Sequence, residues 1–141
     1  MRVKDLDSSI LLIEDNPADV FLLKEALRAH AVRFSLRWFC DSEQAIVHID
    51  GIDSSQAPPD LILLDLHLPK IDGKEVLAHI RRNPWLDRTP VAVLTSSDSP
   101  DDRRETARLG ANCYIRKPPT LDEFLRVGGI IKDLLAAPAA G

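Results

Sequence analysis

Three segments of the chain, residues 10–13, 61–64 and 91–94, are apolar at every position. Strands read this way when helices cover both faces of a parallel sheet, so these three are predicted to be central strands. A fourth segment alternates Phe34, Leu36 and Trp38 with Arg33, Ser35 and Arg37, and one wet face marks an edge strand. Cys113-Tyr114-Ile115 is short and mixed, which predicts the opposite edge.

Between the strands the period changes to that of helices. Asn16-Pro17 reads as a helix start, with an Asn cap and Pro in the first turn, after which Val20, Leu23 and Leu27 share a face. Asp41 and Ser42 open a helix around residues 45–49, ended by a loop over residues 51–59. Gly73 precedes a helix packed by Val76, Leu77 and Ile80 and stopped by Asn83-Pro84. Ser99-Pro100-Asp101-Asp102 starts a fourth, over residues 101–109, which Gly110 closes. The last helix, from about Thr120, is expected to bury Leu121, Phe124, Leu125, Ile131 and Leu135. Gly128 and Gly129 inside it each cost about 1 kcal/mol relative to Ala, which predicts a kink.

Five strands alternating with five helices through right-handed crossovers form a doubly wound α/β fold. The burial ranks give a five-stranded parallel sheet of flavodoxin-like order 2-1-3-4-5, with helices on both faces. Ligands bind such sheets in the crevice beyond the carboxyl ends of strands one and three. Glu14-Asp15 close the first strand and Asp65 the third, while Thr95 and Lys117 end the fourth and fifth. Carboxylates, a hydroxyl and an ammonium converging on one edge suit a divalent metal and a phosphoryl group.

The 141 residues, 45% hydrophobic and 5% aromatic, suffice for one aliphatic core, and no repeat, linker or second domain is visible. A single domain over residues 1–141 is expected, its core at about residues 9–135 and its termini frayed, including the Ala-Pro-Ala-Ala-Gly end. A formal net charge of -4 argues against a nucleic-acid binder, because neutralising phosphates takes clustered Lys and Arg. The start carries Arg2, Lys4, Asp5 and Asp7, and the apolar run behind it is too short for a signal-peptide core or a membrane span. The cytoplasm is the expected compartment. Cys40 and Cys113 lack the short spacing of a metal or redox pair and read as small apolar side chains.

Ile13-Glu14-Asp15-Asn16, Leu64-Asp65-Leu66-His67-Leu68-Pro69 with Asp72-Gly73 behind it, Leu94-Thr95-Ser96 and Lys117-Pro118 stand in one order along the chain. Together they resemble the signature of response-regulator receiver domains of two-component signal transduction, over nearly the whole chain. The resemblance implies that Asp65 is the phosphoacceptor, taking a phosphoryl group from a sensor histidine kinase. An aspartate attacking a phosphoryl group of like charge needs cations nearby, and the family uses Mg²⁺ and the lysine. Asp15, Asp65 and the backbone carbonyl of His67 would hold the metal. Glu14 stands where Asp is common and would reach it directly or through water. Thr95 and Lys117 would meet the phosphoryl oxygens, and the peptide bond before Pro118 is typically cis in this family, aiming Lys117 inward. Tyr114, three residues before Lys117, matches the family's switch aromatic, which moves as Thr95 is drawn inward. Such a chain is no dedicated metabolic enzyme, but is expected to catalyse its own phosphorylation and slow autodephosphorylation.

With no output domain visible after Lys117, signalling by protein contact is expected, to a downstream target, a phosphotransfer protein or a second copy. The fourth helix has few large apolar residues, which suits a movable element. Ile130, Leu134 and the Ala-rich end exceed what one buried stripe needs, which favours a homodimer through the fourth helix, fifth strand and fifth helix. Residues 59–77 also look like the small regulators paired with phytochrome-type histidine kinases. Neither nucleic acid nor membrane is expected among the partners. Trp38 and Trp85 are expected away from the pocket. Two other readings stay open: a haloacid-dehalogenase-like phosphatase, which would want a second Asp where His67 stands, and a receiver-like module that docks constitutively without phosphorylation.

Overall fold

The computed structural model describes residues 7–137. The elements run β1 (Ser8–Ile13), α1 (Pro17–Ala29), β2 (Phe34–Phe39), α2 (Ser42–Asp50), β3 (Leu61–Leu64), α3 (Gly73–Arg82), β4 (Val91–Thr95), α4 (Pro100–Arg108), β5 (Cys113–Arg116) and α5 (Leu121–Ala136). A short 3-10 helix at Pro84–Leu86 follows α3. The strands form one parallel sheet in the order β2-β1-β3-β4-β5, as the burial ranks predict.

Alternate side chains of the central strands feed two cores. Ile10, Leu12, Leu61, Leu63, Ala92 and Leu94 pack under α1 and α5, and Leu11, Ile13, Ile62, Leu64 and Val91 under α2 and α3. Both faces are covered, which is why these runs carry no polar position. Local chemistry opens each helix: Asn16, Asp41, Asp72, Ser99 and Thr120 each accept a backbone N–H of the first turn. Among the described residues no helix is long and apolar enough to cross a membrane.

Several expectations are corrected. The last helix runs unbroken through Gly128 and Gly129. Gly128 is where α5 meets α1, since a Cβ there would lie 2.1 Å from Ala26 O, so the glycine serves close approach rather than a bend. The buried stripe of α5 is Phe124, Val127, Gly128 and Ile131. Leu121 sits in the first turn, ahead of that stripe, and is exposed. Leu134 packs partly buried against the α1/α5 core, so of the predicted surface surplus Ile130 is the large apolar residue left exposed, with Ala136 and Ala137 beyond it. Cys113 packs against the same core, whereas Cys40 is exposed; both are free. Arg2, Lys4, Asp5 and the end from Pro138 lie outside the described residues.

Candidate functional site

The site begins where the ladder ends. The amide of Glu14 donates to Phe39 O at 3.1 Å and that of Asp65 to Ile13 O at 3.0 Å, so β1 and β3 stop level with each other. Their next side chains leave the sheet at one edge. Glu14, Asp15 and Asp65 bring carboxylate oxygens within 4.8 Å of one another. Glu14 is 2% exposed and Asp65 6%, while Asp15 faces solvent. Gly73 helps to place Asp65: a Cβ there would lie 2.4 Å from Asp65 O and 2.6 Å from Leu66 Cα, so only glycine lets α3 start against this backbone.

Lys117 enters from the end of β5. Its amide donates to Thr95 O at 2.7 Å, and its Nζ lies 2.6 Å from Glu14 Oε2, 2.7 Å from Asp19 Oδ2 and 3.2 Å from Asp65 Oδ2. Among the described residues no peptide bond is cis, so the bond before Pro118 is trans. The three carboxylates, not an isomer, aim the ammonium inward. Asp19, in the first turn of α1, was not singled out by the sequence, where it reads as an ordinary helix-start acid.

Burial pushes the Glu14 carboxyl up to about 7, with the Asp65 charge adding to the rise and the hydrogen bond and charge of Lys117 opposing it. For Lys117 burial works against the charge. Hydrogen bonds to Asp19 and Glu14, with the charges of Glu14 and Asp65, outweigh it and hold the ammonium above its ordinary value. Three carboxylates thus meet one ammonium in a half-buried site, with the exposed Asp15 carboxylate beside two of them. An oxygen-only donor set with surplus negative charge fits a hard divalent cation. The amide of His67 donates to Asp65 Oδ1 at 3.4 Å and its side chain is exposed.

Thr95 is buried at the end of β4, and its hydroxyl accepts from the Ser97 amide at 3.3 Å. Ser97 gathers further bonds: its hydroxyl donates to Asp102 Oδ2 at 2.5 Å, and its carbonyl accepts from the Tyr114 hydroxyl at 3.0 Å. The Arg103 guanidinium lies 4.4 Å from the Tyr114 ring centre. In α4 only Thr106 is buried. Lys74 of α3 holds that helix instead, 2.7 Å from Asp102 Oδ1 and 3.0 Å from Glu105 Oε1.

Trp38 is also misplaced by the sequence reading. Its indole Nε1 donates to Glu14 O at 2.6 Å, which puts it at the rim of the acidic cluster. Trp85, in the 3-10 helix behind α3, is away from it.

The profile of the family described as response regulator receiver domain matches residues 10–127. Response regulator Rcp1 of Synechocystis sp. is 44% identical over 124 residues, which span 86% of this chain and 84% of that protein. Among solved structures, the phosphorylated cyanobacterial phytochrome response regulator RcpA superposes with a TM-score of 0.84 at 39% identity, over 96% of this chain and 99% of that one. The Mn²⁺-bound form of response regulator Rcp1 does so with a TM-score of 0.82 at 36% identity, over 95% and 99%. The chain belongs to the response regulator receiver domain family, the phosphorylation-switched regulators of two-component signal transduction.

Proposed function

We propose that Asp65 accepts a phosphoryl group from the phosphohistidine of a sensor histidine kinase, and that the modified domain signals through protein contact. The observation that carries this is the Asp65 carboxylate at the end of β3, 3.2 Å from Lys117 Nζ and inside the cluster with Glu14 and Asp15. An Asp65 oxygen attacks phosphorus, the bond from phosphorus to the donor imidazole breaks with its electron pair returning to that ring nitrogen, and the imidazole leaves neutral, keeping the proton already on its other nitrogen. The Lys117 ammonium offsets charge on the phosphoryl oxygens. Thr95, released from the Ser97 amide, donates its hydroxyl to one of them. Glu14, Asp15, Asp65 and the His67 carbonyl would hold Mg²⁺, which when bound supplies the remaining positive charge. The Mn²⁺-bound form of Rcp1 supports a divalent cation here.

The kinase is of the phytochrome type, a reading supported by the likeness to RcpA. Work in the cytoplasm fits this pairing. The surface of α4, β5 and α5, where Ile130 and the Tyr114–Arg103 pair are presented, is the face we assign to a downstream protein or a second copy. Sedimentation with and without beryllofluoride and Mg²⁺ tests the second copy; a monomer in both states at micromolar concentration rules it out.

Intact mass after incubation with acetyl phosphate and Mg²⁺ tests the acceptor. The parent gains one phosphoryl group, and Asp65→Asn gains none while remaining folded. Steady release of phosphate at enzymatic turnover would instead favour the phosphatase reading, and no adduct on the parent would favour constitutive docking. An Asn variant labelled in full would move the acceptor elsewhere.

A further inference from the structure

The backbone that carries the acidic cluster is held by a side chain from the edge strand. In a parallel ladder, the rung after Glu14 N to Phe39 O would run from the Asp41 amide to Glu14 O. Asp41 has already turned away to cap α2. The Trp38 indole takes that place, donating to Glu14 O at 2.6 Å. The carbonyl it grips belongs to the peptide joining Glu14 to Asp15, so the bond fixes the plane from which both carboxylates project. On the far side, the Asn16 amide donates to Glu14 Oε1 at 3.1 Å, and Asn16 itself caps α1. The turn is therefore tied at both ends, and the tie at its centre is a side chain 39% exposed on the sheet edge.

Indole suits this position chemically. It reaches past the end of its own strand, it donates without being able to accept, and it carries no charge. It therefore braces the turn without competing with the carboxylates for a cation.

We propose that Trp38 is a positioning residue of the divalent-cation site: its indole N–H sets the Glu14–Asp15 peptide so that the carboxylates on either side of it meet the metal together. The proposal rests on the cation reading of the cluster given above. It adds that the edge strand β2, which supplies no ligand, helps to determine metal affinity. Trp38 emission then reports occupancy, whereas Trp85 does not.

Calorimetric titration of the metal-free protein with Mg²⁺ and with Mn²⁺ tests the affinity. Trp38→Phe keeps an aromatic ring, though a smaller one, and loses the donor, and is expected to weaken both metals about tenfold, the lower end of what losing a supporting hydrogen bond costs a metal site. Its urea midpoint, read alongside, shows whether it is folded. A role in stability alone would lower that midpoint and leave the affinity unchanged. The second measurement keeps Trp38 in place: in a Trp85→Phe background, saturating Mg²⁺ is expected to shift the intensity of Trp38 emission with the same midpoint as the calorimetry. Affinity within twofold of the parent in Trp38→Phe, or emission unchanged at saturation, overturns the proposal while leaving the cation site standing. Absence of Mg²⁺ and Mn²⁺ binding in the parent overturns the cation reading itself and this proposal with it.

Discussion

Two adjacent glycines in α5 are expected to respond very unequally to the same substitution. In Gly128→Ala the added methyl would lie 2.1 Å from Ala26 O, 2.6 Å from Ala26 C and 2.8 Å from His30 Cδ2. Two of these atoms are backbone of α1, so relief requires α5 to retreat by about 1 Å from a close-packed interface. Helix propensity returns about 1 kcal/mol to the alanine. Overpacking costs about 1–3 kcal/mol when side chains can yield, and more here, where Phe124, Val127 and Ile131 are lifted with the backbone. The net loss is about 2 kcal/mol or more. In Gly129→Ala the nearest atom is His30 Cε1 at 3.0 Å, the edge of a ring tied only by its Nε2 contact to Leu125 O at 3.0 Å; a shift of a few tenths of an ångström relieves it, and stability should stay within about 0.5 kcal/mol of the parent. Urea unfolding of the three proteins, with slopes compared, reads both. Equal shifts in the two variants, or a Gly128→Ala protein as stable as the parent, would refute the close-approach argument.

Lys117→Met should destabilise the metal-free protein by up to about 3–5 kcal/mol, because Glu14, Asp19 and Asp65 lose their shared partner, and added Mg²⁺ should return part of the loss. Thermal melts with and without Mg²⁺ check this, and a variant as stable as the parent without metal contradicts it. Lys74→Met should speed amide exchange throughout α4 and cost about 1 kcal/mol at neutral pH. The Asp102 carboxyl is held below its usual value first by the Lys74 hydrogen bond and then by that of Ser97. A depressed carboxyl contributes stability above its unfolded value of 3.8 and loses it as pH falls through the folded value, so parent and variant should converge in acid. A gap that stays unchanged as the pH falls well below 3.8 would show that the pair is not its source.

Much of the fold was legible because its causes are local or periodic. The apolar runs of β1, β3 and β4 follow from helices on both faces, and the Asn16, Asp41, Ser99 and Thr120 caps follow from side chains bonding amides two or three residues on. The errors fall where a residue answers to a distant partner. Propensity along the chain treats Gly128 as a weak point, but its role is set by Ala26, which sequence spacing does not reveal. Trp38 continues the alternation of Phe34 and Leu36, yet it reaches past the end of the strand to the Glu14 carbonyl.

The same distinction divides the site. Glu14, Asp15, Asp65 and Lys117 were legible because parallel strands of matched length must release their next residues at one edge. Asp19, Lys74 and Asp102 were not, since a charge paired across two elements looks the same in sequence as one facing water. Thr95 shows what the structure adds to the sequence pattern. Its hydroxyl is engaged by the Ser97 amide, and Ser97 also receives Tyr114 and grips Asp102. On the proposed reading, drawing Thr95 toward a phosphoryl group on Asp65 breaks the first of these bonds and strains the other two at once. Because α4 has Thr106 as its only buried residue, it is held by bonds more than by packing, and bonds that share one residue can be released together.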